Sequence, residues 1–292
     1  MRRANRSLLL LHPDSDFRNR VVQAGGAHFA CWAVSEWGPL RDAVRDAPPT
    51  VVVVVDPYAG GEDGGISREL VSLLHEFPWA SVVAALRARP GEEGDVHALA
   101  LLGISEVILL GVEDTPQGIR RTLRQAQGRF LKELLRRALP PYLTGRARII
   151  LMAAAEAISA GGHAPDLARA LSVSTKTLAR WCERCYLPPP RRLLAWIRVL
   201  LASRLLDDPE RTVSSVARAC GYTSDTALRR ALLDFLGIGP TQLREAGAFA
   251  AAAPAFVAEL HEMREKGRER KRKRYLEAGP AIPAANPTTE DK

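Results

Sequence analysis

A chain of 292 residues, 47% apolar and 25% charged, is long enough for two buried cores. Four cysteines suit a reducing cytosol and need no disulfide framework, and no apolar run approaches a membrane span, so a cytoplasmic protein without a membrane partner is expected. The net charge of +8 is uneven: residues 1–128 carry 13 basic and 16 acidic side chains, 129–246 carry 19 and 10, and 247–292 carry 9 and 7. The basic excess is therefore local, as phosphate binding requires, rather than a bias of the whole chain.

The chain starts with Met1-Arg-Arg-Ala-Asn-Arg6 and Leu8 to Leu11, which imitates a signal peptide, but the apolar core is too short and ends in His12-Pro13-Asp14. Near-continuous apolar runs at Ser7 to Leu11, Thr50 to Val55, Ser81 to Leu86 and Glu106 to Leu110 read as strands buried on both faces, with a weaker strand at His28 to Val34. Helical patterns fall between and after them, at Asp16 to Ala24, Gly38 to Asp46, Ser67 to Glu76, Asp95 to Leu102 and Pro116 to Gln127. Strand and helix alternating five times predict a doubly wound parallel sheet of the flavodoxin-like kind over residues 1–127.

Asp56-Pro57 ends the third strand, and Asp14 and Asp16 follow the first. In this the segment resembles the receiver domain of two-component response regulators, a resemblance that implies Asp56 as phosphoacceptor. Ala84 and Ala85 stand where such domains carry a hydroxyl, and Leu110-Gly111 replaces their Lys-Pro. Phosphoryl transfer to a carboxylate needs a metal held by several carboxylates and a cation on the leaving charge, so the plainer reading is a degenerate receiver with a structural Asp56. Phosphorylation-controlled regulation stays open as the alternative. The loop Tyr58-Ala-Gly-Gly-Glu-Asp-Gly-Gly-Ile66 lacks phosphate-cradle spacing and reads as a mobile loop. His12, His28, His75 and His97 are scattered without metal-ligand spacing. Neither a nucleophile with its base nor a cofactor site is recognisable, so no enzyme, metal or cofactor is expected.

Pro116 to Leu139 can run as one long helix, stopped by Pro140-Pro141. Ile119, Leu123, Phe130, Leu134 and Leu135 give it an interrupted apolar stripe among arginines. Two readings stand side by side: a last sheet-covering helix followed by a solvated connector (residues 128–145), or a stripe without an intramolecular partner that forms a homodimer. Gly128 inside the pattern costs about 1 kcal/mol relative to alanine.

A helix at Ala147 to Ala160 opens a segment, residues 146–246, in which one pattern is written twice. The first copy is Asp166 to Leu171, a tight Ser172-Val-Ser174, then Thr175 to Trp181; the second is Val213 to Cys220, Gly221-Tyr222, then Ser224 to Phe235. Leu167, Ala168 and Leu171, then Leu178, Trp181 and Cys182, give each helix of the first copy one buried stripe. Ser174 is placed to cap the second helix near Lys176 or Thr177, leaving Thr175, Lys176, Ala179, Arg180, Glu183 and Arg184 outward, small or polar enough to enter a major groove. The second copy repeats this, with Gly221 ending its first helix and Leu228, Leu232 and Phe235 inside. Cys182 and Cys185 form a C-x-x-C without a second ligand pair and read as buried small apolar residues rather than a zinc or redox site.

The repeat resembles the AraC/XylS family of transcription regulators, whose DNA-binding unit joins two helix-turn-helix motifs by a long helix. Val216, Ala217, Gly221-Tyr222, Leu228, Arg230, Leu232, Gly237, Pro240 and Arg244 carry the family signature, and Arg198, Ala202, Leu205 and Leu206 match its joining helix. Departures are Leu228 and Leu232 in place of two phenylalanines, and Tyr186-Leu-Pro-Pro-Pro190 in place of a glycine. The resemblance implies an α/β plus all-α protein whose tandem helix-turn-helix domain binds double-stranded DNA, with RNA polymerase as a further partner. Its base-reading positions fall on Lys176, Ala179 and Arg180, and on Asp225, Thr226, Arg229 and Arg230. Ser174, Thr175, Arg184 and Ser224 complete the expected interface. Lys176 and Arg180 are placed for guanine, Asp225 for cytosine or a helix cap, and Arg230 for a base or a phosphate. A rival from another class is an interaction adaptor that binds DNA only loosely.

Beyond this segment, residues 247–292 read as a helix over Ala248 to Lys266 broken by Pro254, then the basic run Arg268-Glu-Arg-Lys-Arg-Lys-Arg274 and a Pro- and Ala-rich disordered tail. The run is either solvated or a basic arm adding salt-sensitive phosphate contacts.

Overall fold

The structure, a computed structural model, describes residues 6–26, 28–47, 50–61, 64–87 and 93–278. The five apolar runs form β1 (Arg6–Leu11), β2 (Phe29–Ala33), β3 (Val52–Val55), β4 (Ser81–Arg87) and β5 (Glu106–Leu110), all parallel, in the order β2-β1-β3-β4-β5. The run that imitates a signal peptide is thus the strand beside the sheet centre, and residues 1–5 lie outside the described part. Alternate side chains go to opposite faces. Leu8, Leu10, Val52, Val54, Val83 and Ala85 meet α1 (Ser15–Gly25) and α5 (Pro116–Ala126) through Phe17, Val21, Ile119 and Leu123. Leu9, Leu11, Val53, Val55, Val82 and Ala84 meet α2 (Trp37–Asp46), α3 (Arg68–Glu76) and α4 (Glu93–Leu101) through Leu40, Val44, Leu70, Leu73 and Leu99. This is the flavodoxin-like sheet expected from the pattern.

The loop expected to be mobile is anchored where it is described. The Trp37 indole donates to the Ala59 carbonyl (2.8 Å), the Tyr58 hydroxyl to Asp95 (2.8 Å), and the Ser67 amide to the Pro57 carbonyl (2.8 Å). Glu62 and Asp63 lie outside the described residues.

The long helix expected over Pro116 to Leu139 is two helices. Gly128 adopts φ +87°, a left-handed backbone that breaks the run, and α6 (Arg129–Ala138) starts after it. A Cβ on Gly128 would meet Ser159 Oγ at 2.9 Å, so the corner is closed by a close approach as well as by its φ. The Gln127 side-chain amide donates to the Ser159 carbonyl (3.2 Å), and Arg129 donates to the Ile104 carbonyl (2.8 Å). Leu131, Leu134 and Leu135 are buried in the core of the second half, and Phe130 touches both that core and the sheet core. The apolar stripe therefore has intramolecular partners, and the ground for a homodimer through it is gone.

The second half is all helical: α7 (Gly145–Ser159), α8 (Ala164–Ala170), α9 (Thr175–Arg184), α10 (Pro190–Leu206), α11 (Val213–Ala219), α12 (Asp225–Leu236), α13 (Pro240–Glu245) and α14 (Ala248–Ala278). The apolar stretch Leu193 to Leu206 makes α10 buried nearly all round, as the axis of this core must be. α14 is not broken at Pro254: that ring is exposed, and so is Ala250, whose carbonyl it leaves without an amide partner. Ala248, Ala252, Phe256 and Leu260, four apart, are buried against α10. The helix runs on through the basic stretch to Ala278, and the tail expected to be disordered, residues 279–292, lies outside the described residues.

Candidate nucleic-acid interface

α8–α9 and α11–α12 repeat one geometry. Each first helix ends in a left-handed residue, Ser172 (φ 54°) and Gly221 (φ 76°), and the next amide returns to the helix, Val173 to the Ala168 carbonyl and Tyr222 to that of Ala217, both at 2.9 Å. Each second helix starts at a serine cap: Ser174 Oγ accepts from the Thr177 amide (3.1 Å) and Ser224 Oγ from the Ala227 amide (3.2 Å). Leu178, Cys182, Leu228 and Leu232 are fully buried, which fixes the rotation of α9 and α12 about their axes. The opposite faces are left outward. Ser174, Thr175, Lys176, Ala179, Arg180, Arg184, Ser224, Thr226, Arg229 and Arg230 are exposed, and Asp225 is half-buried. Among the described residues Lys176, Arg180, Arg184, Arg229 and Arg230 form no ion pair, whereas Arg169, Arg192, Arg204 and Arg211 each have a carboxylate.

The frame behind these faces is tied by arginines that spacing alone does not single out. Arg198, midway along α10, donates to the Gly162 carbonyl (3.0 Å) in the α7–α8 turn and reaches His163 Nδ1 (3.4 Å). It also lies near Tyr222 and Cys220 of the second motif, so one guanidinium serves both. Burial pushes the Cys220 thiol up to about 12 and the Tyr222 phenol well above its ordinary range, which keeps both neutral. Arg244 donates to the Arg211 carbonyl just before Thr212, the cap of α11, and so fastens α13 to the second motif. Cys182 and Cys185 are free and buried; burial, then the neighbouring Cys185, raises the Cys182 thiol to about 12, so it is unreactive as a thiolate.

Where the family carries phenylalanines on the last reading helix, bulk comes from another direction. Phe235 stands edge-on to Trp196 of α10 (centroids 4.9 Å), and Trp196 in turn meets Phe256 of α14 (5.5 Å). The Arg192 guanidinium lies 4.8 Å from the Phe235 ring and pairs with Glu259 of α14 (2.6 Å). Burial works against the Glu259 charge, but the Arg192 bonds outweigh it and hold the carboxyl below its ordinary value. At the exit of α9, Tyr186, standing where the resemblance places a glycine, takes the left-handed conformation (φ 57°) that glycine adopts most readily. The i+4 stripe Ala248, Ala252, Phe256, Leu260 was the available signal that α14 belongs to this unit.

The sheet half meets the helical half not only through Arg129 and Phe130 of α6 but also further on. The Gln127–Gly128 corner docks on Ser159, and the Arg211 guanidinium lies 4.5 Å from the Trp79 ring in the α3–β4 loop. At the sheet end, the half-buried Asp56 accepts from the Tyr58 amide (3.0 Å). His12 is buried beside it, and that burial lowers its pKa despite the nearby Asp56 and Asp14. The β5 end is closed by the Gly111 amide on Asp114 (3.0 Å), which pairs with Arg20 (2.9 Å). Among the described residues no three His, Cys, Asp or Glu side chains converge as metal ligands, and no helix is long and apolar enough to cross a membrane.

A helix-turn-helix domain family matches residues 167–246, which span both motifs and end before α14. No curated protein sequence matches the chain. Among solved structures, the xylose-binding transcription activator xylR aligns over 84% of this chain and 71% of its own at 12% identity (TM-score 0.34). Full-length FixJ from B. japonicum aligns over 78% and 97% at 15% identity (TM-score 0.32). The family match and the repeated geometry agree: residues 167–246 are an AraC-type helix-turn-helix domain, attached to a domain with a flavodoxin-like parallel sheet.

Proposed function

We propose that the protein is a cytoplasmic transcription regulator, not an enzyme, that reads two successive major grooves of duplex DNA with α9 and α12. The observation that carries this is the pair of exposed helix faces with unpaired cations, each fixed in rotation by buried leucines and a serine cap. Lys176, Ala179 and Arg180 are the reading positions of the first motif, and Asp225, Thr226, Arg229 and Arg230 those of the second. Ser174, Thr175, Arg184 and Ser224 flank the phosphates. α10, 17 residues long, spans about 25 Å at 1.5 Å per residue, a length suited to neighbouring grooves. We divide the chain functionally into an input domain over residues 1–127 and an output domain built on residues 146–246, with RNA polymerase as a partner of the bound complex. Input through the sheet is supported by its contacts with the output half at Ser159 and Arg211, and needs no phosphoryl chemistry at Asp56.

The test is selection of bound genomic fragments by the purified protein at near-physiological salt, beside an Arg180→Ala, Arg230→Ala double variant. A shared motif about two major grooves long, absent from the variant's fragments, is expected. Fragments without a common motif, released steeply by salt and indifferent to the variant, would overturn sequence-specific regulation and leave a loose DNA binder or adaptor.

A further inference from the structure

The last turns of α14 leave the core and carry a charged surface that the two motifs do not use. α14 runs antiparallel to α10: the Phe249 amide meets Asp207 at the end of α10, Glu259 meets Arg192 near its start, and Gly267 lies against Tyr186, just before α10. At Gly267 the approach is so close that a Cβ would overlap the Tyr186 ring. One turn on, the Lys271 ammonium lies 5.1 Å from the centre of the same ring. Tyr186 follows the first reading helix, two residues after the exposed Arg184. The basic turns are therefore fixed beside the C-terminal end of α9 rather than left to wander.

Ion pairing divides this stretch in two. Lys266 pairs with Glu262, and Arg268 with Glu265. Arg270, Lys271, Arg272 and Lys273 are exposed and form no ion pair among the described residues. Four successive helical positions cover a full turn, so about two of these cations face any one side. Long cationic side chains without small or amide-bearing neighbours suit phosphate oxygens rather than base edges.

We propose that residues 270–273 of α14 are a third DNA-contacting element, which grips the duplex backbone on one side only, at the flank next to the first helix-turn-helix motif. The inference rests on the proposed DNA binding and adds a polarity to it: the footprint extends past the first motif and not past the second.

The experiment uses the full chain, with dissociation constants measured against salt on a selected fragment and on a random-sequence duplex, together with hydroxyl-radical footprints. In an Arg270→Ser, Lys271→Ser, Arg272→Ser, Lys273→Ser variant, the slope of log K against log salt should flatten by about 2, at roughly 0.9 for each phosphate no longer neutralised. That variant should lose protection at one flank alone. Gly267→Leu keeps every charge but lifts the helix from Tyr186, and should weaken the same flank. An unchanged slope on both duplexes, or protection lost evenly at both flanks, overturns the inference. Loss of the difference between the two duplexes in the wild type would instead count against sequence-specific reading, and the random duplex still reads the arm.

Discussion

Phe256→Ala is the sharpest test of where the DNA-binding unit ends. The family match stops at residue 246, yet Phe256 is fully buried, with its ring centre 5.5 Å from that of Trp196, which itself abuts Phe235 on the second reading helix. Removing a buried phenylalanine costs about 3–5 kcal/mol, the transfer of the deleted atoms plus the cavity they leave. Here the cavity opens under Trp196, in the packing that sets the tilt of α12. For a unit of this size each kcal/mol shifts the melting midpoint by roughly 2–4 °C, so Phe256→Ala should melt roughly 6–20 °C lower. The assay is urea and thermal unfolding followed by circular dichroism, with the exposed Ala258→Ser, expected within about 0.5 kcal/mol of wild type, as the control. A cost below about 1 kcal/mol would refute the reasoning, because α14 would then be an appendage resting on a core complete without it.

Arg198→Met removes the bond to the Gly162 carbonyl and should cost about 1–3 kcal/mol of stability; two-groove operators should weaken more than isolated half-sites, as paired binding titrations would show. Gly128→Val forces a branched side chain into a left-handed backbone against Ser159 and should destabilise the corner by about 1–3 kcal/mol, read from urea midpoints; a neutral result would deny the close approach. His12 is held neutral by burial, so its folded-state pKa lies below the unfolded value near 6.5. Its contribution is complete above that value and is lost as pH falls through the folded one. Stability should therefore decline with acidification below about pH 6.5, and His12→Gln should flatten that part of the curve.

The parts of the fold set by local periodicity were legible from residues. Apolar runs such as Thr50 to Val55 became β3, and Gly221 and Ser224 sat where a left-handed residue and a cap were needed, because these features depend on neighbours within one or two turns. What depends on distant chain was not. The stripe through Leu134 and Leu135 looked unpartnered because its partner, α7, comes later in the chain, and Gly128 could be read as a weak point in a helix but not as a corner pressed on Ser159. Pro254 suggested a break; α10 packing, invisible locally, keeps the helix whole. Tyr186 at a glycine position made sense only with Gly267 opposite it, 81 positions away in sequence.

The same long-range contacts join the two halves. Ser159, which receives the Gln127–Gly128 corner, lies four residues before His163, the cap of α8; Arg211, which receives Trp79, directly precedes Thr212, the cap of α11. The sheet thus touches the chain just before the first helix of each motif and leaves the outward faces of α9 and α12 exposed. A ligand or partner on the sheet shifts the output half only by as much as it favours one arrangement of these contacts over another. The Trp79–Arg211 contact alone is worth about 0.5–2 kcal/mol, enough for a roughly two- to thirty-fold change in affinity and too little to lock the protein shut. Under the proposed function, input by this route would be graded tuning of motif geometry and would need no acceptor at Asp56, one oxygen of which accepts from the Tyr58 amide. Trp79→Ala should accordingly change operator affinity by roughly thirty-fold at most while leaving the sequence preference intact. A variant that altered which sequence is read, rather than how tightly, would show that the sheet reaches the reading helices by another path.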